Sequence, residues 1–124
     1  MIKYLISVMI NLVLVDEFVI STANYIPGFR IIETKGFAYG LTVRSHGGNE
    51  KIGDYVKLVE QTRDEALGNL IEHGKQMGAN GLISVKFDSN DIAHSMQEVL
   101  AYGTAVVVLK SNSANFKDYM LIKD

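Results

Sequence analysis

Arg44, His46, Gly47, Gly48 and Lys51 fall close together, and together they could hold an anion. Glycine amides ahead of a helix leave N–H groups unpaired, and the helix dipole favours negative charge there. Basic side chains on both flanks would add to that field. The spacing departs from the phosphate-loop pattern G-x4-G-K-[ST], however, so the bland reading of a flexible connector competes with the anion site.

A second group is Asp88, Asn90, Asp91 and His94, in the stretch DSNDIAHS. Carboxylate and amide oxygens with one imidazole suit hard or borderline cations. Counted as an EF-hand loop from Asp88, the chain places Ala93 at the glycine position and Val99 at the bidentate-carboxylate position. Neither can serve, and a solvated hairpin turn explains the composition as well. His73 and Arg63 lie near the margin of an apolar helical stripe. A histidine there serves as ligand or base, or packs its ring while one nitrogen meets a backbone carbonyl. Arg63, next to Glu60 and Asp64, is expected to form local ion pairs or to bond to a neighbouring chain. Metal candidates are therefore His46, His73, His94, Asp88 and Asp91; candidates for a small ligand are Arg44, His46, Arg63 and Glu65.

Nucleophilic catalysis finds little support. HExxH, GxSxG and GxGxxG are all missing, and no spacing links a serine to a histidine. The reading is of a non-enzyme with no cofactor.

The whole composition narrows the classes further. The 124 residues suit one domain, and 48 % are apolar, enough for a core. Twelve Lys and Arg face 14 Asp and Glu, with no long basic run, so nucleic acid is not an expected partner. Cysteine is absent, which removes disulfides, thiolate catalysis and all-thiolate metal sites, and fits a reducing compartment such as the cytoplasm. At the N-terminus, Lys3 precedes an apolar run from Tyr4 to Val15. That run is shorter than the ~18–20 residues a membrane span needs. Ser21-Thr22-Ala23 imitates a signal cleavage site, but Asp16, Glu17 and a strand-like stretch intervene. The run reads instead as a buried strand, an association surface or an extension upstream of the natural start.

The elements that must position these residues follow from periodicity. Glu17 to Thr22 predicts a short strand, and Pro27-Gly28 a tight turn. Phe29 to Ser45 is rich in β-branched and aromatic residues; Gly36 and Gly40 within it suggest a bulge or a close backbone approach, which predicts two strand segments with a sharp bend. From Asp54 to Met77, Tyr55, Val56, Val59, Thr62, Ala66, Leu70 and Met77 recur at helical spacing, extended backwards by Ile52. Leu58 and Ile71 fall outside that stripe, on opposite flanks. Gly78 ends the helix, because a left-handed residue lets the chain turn back on its unpaired carbonyls. Leu82, Val85 and Phe87 begin a strand, Asp88 to Ser95 reads as a loop, and Met96 to Lys110 as a second long strand. The tail from Ser111 to Asp124 ends near the apolar patch YMLI.

In this order the residues resemble the YbjQ-like family. The matching pieces are Ser21-Thr22, Ile26-Pro27-Gly28, Gly36, Gly40, Gly47-Gly48, Tyr55, Arg63 with Glu65-Ala66, Gly78-Ala79-Asn80, and GTAVVV from Gly103 to Val108. They span residues 17–110, leaving residues 1–16 as an N-terminal extension and 111–124 as a tail. The resemblance implies an α+β subunit of dodecin-like kind, an antiparallel sheet curved around one long amphipathic helix. It also implies a homo-oligomeric ring of five copies whose neighbouring strands associate. The family carries a heavy-metal label but no established catalytic residues. Three readings follow: a ring that holds a small ligand or ion at subunit boundaries, a purely structural assembly, or a metal binder using His and carboxylate ligands.

Overall fold

A computed structural model of the chain describes residues 18–45, 51–93 and 95–111. His46, Gly47, Gly48, His94, the apolar N-terminal run and most of the C-terminal tail lie outside the described residues, so the expectations placed on them have no structural counterpart here.

The chain runs β1 (Val19–Ile20), β2 (Phe29–Ser45), α1 (Ile52–Gln76), β3 (Gly81–Ala93) and β4 (Met96–Lys110). Four strands form one sheet in the order β1-β3-β4-β2. The long strands pair antiparallel, but β1 lies parallel to β3, with Val19 opposite Gly81. The sheet is thus mixed rather than wholly antiparallel. The reason is topological: β1 and β2 occupy opposite edges, so the segment between them must cross the sheet. Ile26 on that crossing is buried with Val106 and Val108, with Val19, Phe29, Ile31 and Ile83 packed around them.

The helix covers the other face. Along β2, Ala38, Gly40 and Thr42 are buried while Phe37, Tyr39, Leu41 and Val43 are exposed, the period of two that one covered face imposes. Leu70, Leu82, Val85 and Val99 fill the core between helix and sheet together with five alanines, Ala38, Ala66, Ala79, Ala101 and Ala105. Such small residues let the helix sit close. Gly40 makes the limit visible: a Cβ there would lie 2.3 Å from both the Ala66 carbonyl oxygen and the Leu70 amide nitrogen.

Several expectations need correcting. Phe29–Ser45 is one strand, not two segments with a bend. Register shifts between Ile31 and Glu33 and between Thr34 and Gly36 absorb the extra residues, so pairing with β4 continues through them. The stretch from Asp88 to Ser95 is mostly strand, since β3 stays paired with β4 as far as Ala93 opposite Met96. Cross-strand pairing overrides the turn-forming composition there. Ile71 packs against the core instead of pointing away from it. The helix is Ile52–Gln76, two residues earlier at its start than the periodicity suggests, with Gly53 inside it. Its end is as expected: Gly78 adopts φ +85°, and the amides of Met77, Gly78 and Ala79 turn back onto carbonyls of the last turn.

Candidate functional site

The expected ligand residues come from two elements that run in opposite senses. Asn69 reaches Leu41, His73 reaches Tyr39, and Arg44 reaches Glu65, so each step up β2 is a step back along α1. Arg44 near the end of β2 therefore meets the middle of the helix, where Arg63 and Glu65 also stand.

Here two of the sequence-derived candidates find each other. The Arg44 guanidinium donates to the Glu65 carboxylate, both side chains being about half exposed. Arg63 points to the opposite flank of the helix, its guanidinium 5.7 Å from the centre of the Phe87 ring. Its partner is thus an aromatic face on β3, in place of the local pairs with Glu60 and Asp64 that the sequence suggests. The sequence contains no local signal for that contact, because residues 63 and 87 meet only once the chain has folded back through Gly78. Arg44 and Glu65 thus pair on the β2 side of the helix, while Arg63, two residues from Glu65 and so nearly opposite it around the helix, stands on the β3 side.

His73 sits elsewhere, at the opposite half of the helix. Its Nδ1 lies 3.1 Å from the Tyr39 amide nitrogen and 3.2 Å from the Tyr39 carbonyl oxygen. A neutral ring protonated on Nε2 accepts from that amide; a ring protonated on Nδ1 donates to that carbonyl. Either way the ring pairs with backbone, packed edge-on to Tyr39 with centroids 5.0 Å apart. The Asn69 amide does the same one step along, donating to the Leu41 carbonyl at 3.2 Å. Since β2 is an edge strand, the two side chains occupy hydrogen-bonding positions that a further strand would need. Sequence reasoning missed Asn69 altogether. Its only trace was four-residue spacing with Glu65 and His73 along one side of the helix.

The metal candidates among the described residues, His73, Asp88 and Asp91, form no shared site. Asp88 and Asp91 are three residues apart on β3, opposite Leu100 and Gln97, and so leave the strand from opposite faces. Among the described residues no three His, Cys, Asp or Glu side chains lie close enough to share a metal ion. No helix among them is long and apolar enough to cross a membrane. With no cysteine in the chain, a soft heavy metal could not be held through a thiolate.

Comparison with known proteins gives the lineage of this arrangement. A protein from Methanothermobacter thermautotrophicus named only "UPF0145 protein" is 49 % identical, the match covering 70 % of this chain and 87 % of that one. One of the same name from Sulfurisphaera tokodaii is 48 % identical, covering 77 % of this chain and 95 % of the relative. A crystal structure from Pediococcus pentosaceus, of unknown function and assigned to the DUF74 family, superposes with a TM-score of 0.54 at 19 % identity. That match covers 73 % of this chain and 96 % of the other, and it shows a shared fold. The profile of a family described as "Putative heavy-metal-binding" matches residues 18–109, nearly all of the sheet and the whole helix, and the chain belongs to that YbjQ-like family.

Proposed function

We propose that the protein is a non-catalytic homo-oligomer that holds a small ligand or ion where two subunits meet. The observation that carries this reading is an overhang. Glu65 stands beside Arg44, one residue before β2 ends, yet the helix continues back for thirteen more residues to Ile52, about 20 Å at 1.5 Å per residue. On that stretch Ile52 is 85 % exposed and Val56 48 % exposed. An amphipathic helix gains most of its stability from burying its apolar stripe, so an overhanging stripe calls for a neighbour. A neighbour docked there would stand next to Arg44 and Glu65 on one flank of the helix and to Arg63 on the other, and could close a site against either.

A ring of five copies, the count that the family resemblance implies, would repeat such a site around its axis. The cytoplasm is the compartment proposed for it.

A native mass spectrum tests this directly, reporting subunit number and any retained small molecule together. Ile52→Asp with Val56→Asp should break the contact at the overhang and lower the subunit number, with the fold unchanged. If the doubly substituted chain keeps the parent's subunit number, the overhang is not the contact.

A second reading has its own observation. Arg44 and Glu65 satisfy one another, and Arg63 rests on Phe87, so these two contacts serve as internal bracing in a structural assembly. Alanine at Arg63 and Glu65 separates the two: intact oligomers that lose a retained ligand favour binding, and loss of the oligomer favours bracing.

A further inference from the structure

Among the described residues, the sheet face turned away from α1 is only half covered. Around Val106 and Val108 it is closed by Ile26. Beyond that plug, Phe37 (63 % exposed), Tyr39, Leu41 and Val43 project from β2, with Leu100 and Tyr102 half-buried beside them on β4. The rings of Phe37 and Tyr39 stack with centroids 5.8 Å apart, and Phe37 also meets Tyr102 at 6.3 Å. A contiguous apolar patch of this kind marks an interaction surface.

Strand register gives the patch an internal order. Tyr39 pairs with Tyr102, which pairs with Lys86; the next row is Leu41, Leu100 and Asp88. Phe37 with Thr104 flanks the first row, and Val43 with Glu98 flanks the second. Large rings and a cation thus occupy one half, smaller aliphatics and carboxylates the other.

We propose that this face binds a second copy of the chain, turned about a two-fold axis that runs between the two sheets, perpendicular to the strands and midway between the two rows. That rotation keeps β2 over β2 and β4 over β4 but reverses the rows. Tyr39 then faces the partner's Leu41, Tyr102 faces the partner's Leu100, and Phe37 faces the partner's Val43. Lys86 faces the partner's Asp88, and the same pair forms again on the other side of the axis. Two sheets packing face to face stand ~10 Å apart with strands nearly aligned, which such side chains can fill. An isologous contact requires this reciprocity, because every residue meets its counterpart's neighbour twice. Opposite charges placed at reversed rows supply it here. The alternative axis along the strands would lay apolar β2 over polar β3 and bring like rows together, so that Lys86 would face the partner's Tyr39. The patch is small, about 20 Å along the strands, so pairing is expected to be concentration-dependent. This face is separate from the helix overhang, and the inference does not rest on the ligand reading above.

The test is charge exchange on the full-length chain, read by sedimentation over a concentration series at low salt. Lys86→Asp alone and Asp88→Lys alone should each weaken face pairing at least about tenfold, since each places two like-charge pairs across the axis. An equimolar mixture of the Lys86→Asp chain and the Asp88→Lys chain should restore it to within about threefold of the parent. Both positions are exposed strand residues, so folding is unaffected. The Ile52→Asp, Val56→Asp chain should still pair through this face, which separates its failure from failure of the overhang. A mixture no tighter than either single variant overturns the proposal, as do single variants that pair like the parent. So does a chain carrying Leu41→Cys, its only thiol, that stays protected from a thiol reagent in unpaired subunits, which would show that the chain's own apolar run from Tyr4 to Val15 covers the face.

Discussion

Asn80 and Val108 bond to each other twice. The Val108 amide donates to Asn80 Oδ1 at 2.7 Å, and Asn80 Nδ2 donates to the Val108 carbonyl at 2.9 Å, with both residues buried. The side-chain amide thereby stands in for a strand at the place where β3 has not yet begun, while the Asn80 backbone amide donates to the Val106 carbonyl beside it. The helix-to-strand corner is locked to β4 by one residue.

Replacing Asn80 by alanine would orphan a buried donor and a buried acceptor at once. At about 1–3 kcal/mol for each buried group left unsatisfied, Asn80→Ala should cost on the order of 2–5 kcal/mol in chemical denaturation. Asn80→Asp keeps the acceptor but loses the donor, and it should fall near the alanine variant rather than near the parent. A loss below about 1 kcal/mol for Asn80→Ala would mean that water replaces the amide.

Glycines on the helix and under it should respond with opposite signs. Gly40→Ala places a methyl group against helix backbone that cannot move aside, so it should cost at least about 3 kcal/mol or prevent folding. Gly68 sits inside the exposed helix with open space where an alanine methyl would stand, and Gly68→Ala should stabilise by about 0.5–1 kcal/mol. Thermal melts of both variants check the pair.

The Arg44–Glu65 contact should contribute little to stability. Both side chains are largely solvated, and a double-mutant cycle should return a coupling of about 0.2–1 kcal/mol that shrinks as salt is raised. A coupling of several kcal/mol, insensitive to salt, would place the pair inside a closed subunit boundary in the native assembly.

Elemental analysis of native protein purified without chelator should find no stoichiometric soft metal. A reproducible one-per-subunit zinc or copper content, lost in His46→Ala or His94→Ala, would refute this and give the family's heavy-metal label a physical basis here.

Much of the architecture could be read from local chemistry. Helical spacing of Val59, Thr62, Ala66 and Leu70 exposes α1, because burial on one side imposes the 3.6-residue period on the chain itself. Gly78 marks its end for an equally local reason, the positive φ its corner needs. The long β-branched runs mark β2 and β4. What misled was also local: turn-forming residues from Asp88 onward lie in a strand, and Gly40 marks the close backbone approach that glycine in a strand suggests, without the bend inferred from it.

The candidate site was legible in residue type but not in arrangement. Arg44, Arg63 and Glu65 stand out as charged residues in suitable places, yet their pairings depend on where the chain returns. The Arg63–Phe87 contact, the Asn69 and His73 bonds to the edge of β2, and the amide lock of Asn80 on Val108 all join residues more than twenty positions apart. The parallel placement of β1, likewise, follows from a crossing over the far face that no local pattern encodes. By itself the sequence determined the long helix and its end, the β-branched runs of β2 and β4, that the chain has no thiolate chemistry, and which side of α1 is apolar. Tertiary structure alone decided which part of that apolar side is covered, because coverage depends on where the sheet ends relative to the helix, and that distance is set by packing across the whole domain.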